Sequence, residues 1–301
     1  MRDTPLFEEL SALIVAKLKT LPDKPEETDE STLCALWQAA AGTPMSAELA
    51  LTRELPELSP SQEESLRDLI ACRLEGTPLA HITRRQRFME LEMLAGSAAL
   101  VPRKETELLA RAAITLCAQL CEQQNELKIL DVCTGSGNIA LALAHYVTAA
   151  RIYAADLSEP AVELARRNAA HLGLTSRVEF RWGDLLAPFD SAEFHANVDV
   201  LTCNPPYINS AKVSRMPNEI AGHEPHIAFD GGPFGIAILM RLLAAAPRFV
   251  RPGGWMGVEV GLGQGPALMK RLQKTPEFGE LRTLHDESGA LRAIFAQRTS
   301  V

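Results

Sequence analysis

The chain has 301 residues, 47% of them hydrophobic, with a net charge of −8. That length can bury a full α/β core and leave chain for a smaller accessory domain. The acidic balance disfavours a partner gripped mainly through its phosphates, which would need a broad Lys/Arg surface, so direct nucleic-acid binding is not expected. No apolar run reaches the roughly 18 residues of a membrane span, and the N-terminus is acidic where a signal peptide is basic and then apolar. The expectation is a cytoplasmic protein.

Residues 1–78 read as a string of short helices. Leu6, Leu10, Leu13, Ile14 and Leu18 recur at helical spacing, and a Pro/Glu/Asp-rich link at 22–30 precedes a second helix from Leu33 to Ala41. Ser59-Pro60-Ser61-Gln62 places an N-cap serine before a proline at the first helical position, and Gly76-Thr77-Pro78 stops the helix that follows. Residues 79–104 alternate enough to predict a β-hairpin linker, ahead of a helix from Glu105 to Leu120. From Lys128 strands alternate with helices: strands at 128–133, 151–156, 177–184 and 198–204, helices at 138–147 and 159–172. A helix over 235–250, a strand over 254–261, a further helix and strands at 281–285 and 291–297 complete the pattern. Such alternation predicts an α/β domain over 105–301 with a mostly parallel sheet covered by helices. The six cysteines (34, 72, 117, 121, 133 and 203) include no Cys-x-x-Cys pair, so no metal site is expected.

Two motifs carry chemistry. Asp131-Val-Cys-Thr-Gly-Ser-Gly-Asn-Ile-Ala140 ends the first strand of the domain and opens a helix. Gly135 and Gly137 allow a tight turn and a close ligand approach, and Asp156, ending the next strand, can accept both hydroxyls of a ribose. The same pattern fits a dinucleotide fingerprint. Three features favour S-adenosylmethionine: Asp131 at the strand end, where it can face an amino group; Gly183-Asp184-Leu185, ending the third strand with a possible adenine contact; and no second sizeable domain after the sheet. Asp184 also fits a simple cap or turn.

The second motif is Asn204-Pro205-Pro206-Tyr207, at the end of the strand "DVLTC". Two prolines stop a strand and stiffen its tip. If the first and fourth strands lie side by side at the point where strand order reverses, this tip faces the glycine loop. The Asn204 side-chain oxygen and the Pro205 carbonyl can then accept both N–H bonds of a planar amide or exocyclic amine, disfavouring its planar ground state, while Tyr207 stacks on it.

With "DVCTGSG" and "NPPY" together, the chain resembles class I S-adenosylmethionine-dependent methyltransferases that act on amino groups. "RLEGTPLAHI" (73–82), "LVPRKETELL" (100–109), "HEPHIAFDGGPFG" (223–235), "RPGGWMGVEVGLGQG" (251–265) and "HDESGALR" (285–292) narrow the resemblance to the HemK-type protein glutamine methyltransferases, the PrmC/PrmB family. The resemblance implies a Rossmann-like domain with a seven-stranded, mostly parallel sheet, preceded by a helical substrate-recognition domain (1–78) and a hairpin linker (79–104). It implies methylation of a glutamine side-chain amide, most simply in the Gly-Gly-Gln loop of peptide-chain release factors, with a large-subunit ribosomal protein as the alternative and a nucleic-acid base behind it. It implies cofactor contacts from Asp131, Cys133, Thr134, Gly135, Ser136, Gly137, Asp156, Asp184, Leu185 and Asn204, and substrate contacts from Asn204, Pro205, Pro206 and Tyr207. It also suggests an Arg103–Glu107 ion pair, and a substrate-side loop shaped by Glu224 and Asp230-Gly231-Gly232.

Three positions depart from the family pattern. Arg84 stands where the linker usually has glycine, Lys104 replaces a proline, and Cys133 replaces the first glycine of the cofactor loop. Cys133 and Pro217-Asn218-Glu219 lean toward the ribosomal-protein methylators, and "FDGG" toward the release-factor type. Loss of turnover, leaving a cofactor-binding module, is the reading from another class.

Overall fold

The computed structural model describes residues 2, 4–213, 216 and 218–299. The chain forms two compact units, Met1–Lys104 with Pro217–Glu224, and Glu105–Met216 with Pro225–Val301. The return of a late segment to the first unit has no counterpart in the sequence pattern. Pro217 itself lies outside the described residues.

The first unit is helical. Helices Pro5–Lys17, Asp29–Ala40 and Pro60–Leu74 begin with side-chain caps from Thr4, Thr28 and Ser59, and the last two are reciprocal capping boxes with Ser31 and Gln62. Their apolar faces enclose Leu10, Ile14, Leu33, Leu36, Trp37, Leu66 and Ile70, all at 1% exposure or less. At the rim of this core a buried ionic cluster forms. Lys24 Nζ lies 2.6 Å from Glu219, and Arg73 bridges Glu27 and Glu219 at 2.9 Å each.

Leu79–Thr83 is a short helix ended by Arg84 in the left-handed region, φ 59°. That conformation is why glycine suits this position and arginine strains it. The hairpin follows: β1 (Arg85–Phe88) pairs antiparallel with β2 (Leu91–Leu94). Met89 and Glu90 between them both have positive φ, the twist a two-residue turn requires. Lys104 pairs with Glu48 at 2.9 Å, so the residue in place of proline gains a partner. The expected Arg103–Glu107 pair does not form. Arg103 instead meets Glu224 at 2.7 Å and Asp23 at 3.4 Å, while Glu107 takes Arg111 one turn along its own helix.

The second unit is a seven-stranded sheet in the order β5-β4-β3-β6-β7-β9-β8. Its strands are β3 (Leu127–Val132), β4 (Ala150–Asp156), β5 (Val178–Trp182), β6 (Val198–Cys203), β7 (Val250–Glu259), β8 (Phe278–His285) and β9 (Leu291–Arg298). The first five run parallel, and β9 is antiparallel to both neighbours. Every residue of β6 is buried, as a central parallel strand requires. β7 begins four residues earlier than its sequence pattern, because Val250 already pairs with Val198 of β6 before a register irregularity, after which Trp255 pairs with Val200. Helices Glu107–Cys121, Asn138–Tyr146, Glu159–His171, Ala237–Phe249 and Gly265–Leu272 complete the unit. Among the described residues no helix is long and apolar enough to cross a membrane.

Candidate active site

Chain order places β4 on one side of β3 and β6 on the other, so β3 borders the crevice where strand order reverses. The parallel register sets Val132 opposite Cys203. The glycine loop, starting at Cys133, and the Asn-Pro-Pro-Tyr tip, starting at Asn204, therefore leave adjacent strand ends side by side.

The loop is bent by three left-handed residues, Cys133 (φ 57°), Gly135 (φ 55°) and Gly137 (φ 84°). Cys133 adopts a conformation that costs a non-glycine residue roughly 1–2 kcal/mol, which explains a preference for glycine there. Its side chain packs on the core cluster that contains Cys203, and burial with the neighbouring Cys133 pushes the Cys203 thiol well above its usual range. A Cβ at Gly137 would press on Ala165, Leu141 and Phe180 at 3.1–3.3 Å, whereas one at Gly135 would meet nothing within 4 Å. Gly137 thus seats the helix, and Gly135 presents open backbone.

Asp131 is 1% exposed, so it does not face an open ligand site as expected from its place at the strand end. Its carboxyl accepts hydrogen bonds from Thr134 Oγ1 at 2.6 Å and Thr202 Oγ1 at 2.7 Å, tying the loop to β6. Burial raises its pKa from 3.8 to about 6 against those bonds. Asp156 accepts from the Gly135 N–H at 2.8 Å and the Ser158 N–H at 2.9 Å, and burial also pushes its carboxyl up. Beside it, Trp182 is its register partner on β5 and donates from Nε1 to the Leu157 carbonyl at 2.9 Å. Leu157 and Trp182 are 51% and 61% exposed, two apolar surfaces flanking a carboxylate. Asp184 pairs with Arg241 at the surface, a weak interaction that a ligand N–H can replace. Leu185 turns at φ 48° and packs its side chain into the core, so its contribution is the shape of the turn.

The tip is held from several directions. Asn204 Nδ2 donates to Thr106 Oγ1 at 3.1 Å, which commits the donor end of the amide and leaves its oxygen as the end turned away. Pro205 is buried, and Pro206 and Tyr207 are half-buried. The Tyr207 hydroxyl donates to Glu259 at 3.2 Å, and its carbonyl accepts from Gln264 Nε2 at 2.9 Å. Burial drives the Tyr207 phenol far above its ordinary range, so it stays a donor. Glu259, 2% exposed, is raised by burial from 4.5 to about 7; bonds from Thr106 and Tyr207 and the field of Arg292 oppose the rise. Arg292 is itself buried and bonded to Glu105 at 2.7 Å. The Ile208–Asp230 bridge closes the segment after the tip, and Asp230 accepts from Ser210 Oγ at 2.6 Å and the Gly232 N–H at 2.9 Å. Glu224, by contrast, belongs to the helical unit, where its carboxylate takes Arg103 and the Val101 N–H.

Thr106, Glu259, Gln264 and Arg292 emerge only from the structure as supports of the tip. Glu259 did leave a trace in the sequence: a lone carboxylate inside the apolar run "VEV" is costly unless it has partners.

Comparison with known proteins adds identity to this geometry. The family described as "Methyltransferase domain" matches residues 123–251. A curated relative from Moorella thermoacetica, named release factor glutamine methyltransferase, is 37% identical over 248 residues, covering 82% of this chain and 84% of its own. This chain belongs to the release factor glutamine methyltransferase family. A second member, from Gloeobacter violaceus, is 32% identical over 240 residues, covering 79% of this chain and 81% of its own. Membership makes the chain a methyltransferase, and the Rossmann-like sheet is the fold of that class. The same fold recurs in the hMettl16 catalytic domain solved in complex with MAT2A 3'UTR hairpin 6, with a TM-score of 0.53 at 14% identity over 76% of this chain and 82% of that one.

Proposed function

We propose that this family member methylates the side-chain amide nitrogen of a glutamine in a protein substrate, the Gly-Gly-Gln loop of peptide-chain release factors, with S-adenosylmethionine as donor. The observation that carries the reading is the β3–β6 register, Val132 opposite Cys203, which sets the glycine loop beside the Asn-Pro-Pro-Tyr tip. The substrate class follows from the names of relatives matched over about four-fifths of the chain. A translation factor as substrate goes with the expected cytoplasmic location.

The residues fit the donor. The open side of Gly135, the Ser136 hydroxyl, buried without a hydrogen-bond partner, and the Asp156 carboxylate offer complementary groups to an amino acid and a ribose, and Leu157 and Trp182 offer surfaces to a planar base. Cys133, Thr134, Gly137, Asp184 and Leu185 complete the proposed contacts, with Asp131 acting through Thr134. S-adenosylmethionine, when bound, supplies an electrophilic methyl on a sulfonium.

The chain's own groups do the positioning. Thr106 takes one N–H of the Asn204 amide, orienting its oxygen to accept an N–H of the substrate amide. The Pro205 carbonyl accepts the other N–H, and the ring of Pro206 keeps the tip stiff without offering a competing donor. Two acceptors at fixed directions favour a pyramidal nitrogen over the conjugated planar one, and so favour the transition state over the ground state. Tyr207, anchored at its hydroxyl by Glu259 and at its carbonyl by Gln264, is held to lie against the planar amide. The methylated nitrogen sheds its proton to water, so no general base is required. Residues 1–78 are read as the substrate-recognition domain and 79–104 as a linker that meets the protein substrate.

Transfer of labelled methyl from the cofactor to purified release factor tests the reading. Label on the wild-type factor, absent when the loop glutamine is replaced by alanine, supports it. Label only on a large-subunit ribosomal protein moves the substrate, and label only in nuclease-sensitive material overturns the amide chemistry.

A further inference from the structure

Phe234 and Leu262 are the most exposed large apolar side chains among the described residues, at 78% and 70%. Phe234 is also held at φ 65° inside the 3₁₀ turn Pro233–Gly235, a left-handed conformation suited to glycine or asparagine. An aromatic ring displayed to water from strained backbone has no folding rationale of its own: it adds cost at both levels.

Both side chains spring from segments fastened to the catalytic tip. Gly235, next to Phe234, packs so closely on Tyr207 that a Cβ would collide with the Tyr207 carbonyl oxygen. Gly261, next to Leu262, packs on the Tyr207 ring, with a Cβ there only 2.8 Å from Cδ2. One side chain clamps all three segments. Gln264 Nε2 donates to the carbonyls of Tyr207, Gly235 and Phe234 at 2.9, 3.1 and 3.4 Å, and its Oε1 accepts from the Gly261 N–H at 3.0 Å. Any movement of the backbone that carries the two apolar side chains relative to Tyr207 has to break this clamp.

We propose that Phe234 and Leu262 form an apolar rim on which the main chain flanking the target glutamine docks. The inference rests on the reading that the substrate amide belongs to a protein loop. A glutamine that reaches Asn204 brings its neighbours in the loop to the surroundings of the tip, and the two segments clamped to Tyr207 display these two apolar side chains. Flanking residues without side chains, as in Gly-Gly-Gln, let their peptide planes lie flat on the Phe234 ring, which binds a planar amide face by stacking and burial. A small free amide would gain nothing from such a rim. The rim therefore contributes to recognition of the loop and leaves the chemistry to the tip.

The test compares Phe234→Ala, Leu262→Ala and the double variant with wild type on full-length release factor. The expected result is a KM for the factor raised about tenfold by Phe234→Ala and further by the double variant, given the burial lost. The kcat stays within about twofold and cofactor affinity by calorimetry is unchanged, as expected when only uniform binding is removed. Phe234→Trp keeps the wild-type KM. Phe234→Asn raises KM like alanine while its melting temperature equals or exceeds that of wild type, because asparagine tolerates the left-handed backbone; a residue needed only for folding would do the reverse. An unchanged KM with active enzyme overturns the rim, as does a KM rise matched by lost cofactor affinity or stability. A dimer that Phe234→Ala dissociates without changing KM assigns the patch to a second copy and also overturns it. If the wild type labels no release factor at all, the substrate reading fails and the rim falls with it; wild-type labelling with indifferent variants isolates the failure to the rim.

Discussion

Two buried carboxyls of the helical unit, Glu219 and Glu224, and two of the methyltransferase unit, Asp131 and Glu259, are neutralised by different means. In the helical unit Glu219 sits between Lys24 and Arg73 and Glu224 against Arg103. The Glu219 carboxyl is held below its usual range by those cations despite its burial. In the methyltransferase unit Asp131 is met by two threonine hydroxyls and Glu259 by the hydroxyls of Thr106 and Tyr207, and their pKa values climb to about 6 and about 7. Cations fix a charged carboxylate in place and leave it little freedom, which suits a scaffold. Hydroxyls orient the carboxyl without adding a formal charge of their own. Beside the tip the cationic contribution comes from Arg292, which is bonded to Glu105 and not to either of these two carboxyls.

The largest effect that could break this contrast is on stability. Arg73→Met removes the bridge between Glu27 and Glu219 and leaves buried charge short of a partner, with an expected cost of about 3–5 kcal/mol in denaturant unfolding. A loss under 1 kcal/mol would show that the cluster is not a scaffold element. Next comes the tip. Asn204→Ala is expected to lower kcat roughly 100- to 1,000-fold, the scale of losing one preorganised polar group. Thr106→Val, which leaves Asn204 in place but removes the acceptor that orients it, should lower kcat by about tenfold while KM holds.

The smallest effects are in pH dependence, and here one buried group from each unit, Glu259 and His81, has a sign opposite to the other. The Glu259 carboxyl binds its proton up to about pH 7 when folded and only to about 4.5 when unfolded, so its contribution to stability falls as pH rises across that window. Glu259→Gln does not titrate; the stability of wild type relative to this variant should decline by on the order of 1 kcal/mol between pH 5 and pH 8. His81, in the helical unit, is pushed down from 6.5 to about 4, first by burial and then by the charges of Lys24, His223, Arg84 and Arg103. It contributes stability that is lost as pH falls from about 6.5 toward 4, and His81→Gln should flatten that loss. Slopes of the same sign in both variants would erase the contrast.

Much of the candidate site was legible in the sequence because its residues lie in contiguous stretches. Asp131 to Gly137, Asp156 and Asn204 to Tyr207 are contiguous stretches whose strand-end positions follow from the alternation of elements, and parallel topology then brings them together. The supports were not legible for the opposite reason. Thr106 and Asn204 are 98 residues apart, and Glu105 and Arg292 are 187 apart. Nothing in either local pattern names the other. The Arg103–Glu107 pair, suggested by the family resemblance, gives way to Arg103–Glu224, a partner 121 residues away that no local pattern names. At Arg84 and Cys133 the sequence showed that glycine was replaced, and the positive φ at both explains why glycine suits them.

In the proposed reaction the tip presents two acceptors to a glutamine amide of a release factor. The most direct measurement gives wild-type enzyme labelled cofactor and full-length release factor, and locates the label by peptide mapping. One methyl is expected on the side-chain nitrogen of the Gly-Gly-Gln glutamine, lost when that residue is alanine. Label on any other residue, or undiminished label on the alanine factor, would contradict it.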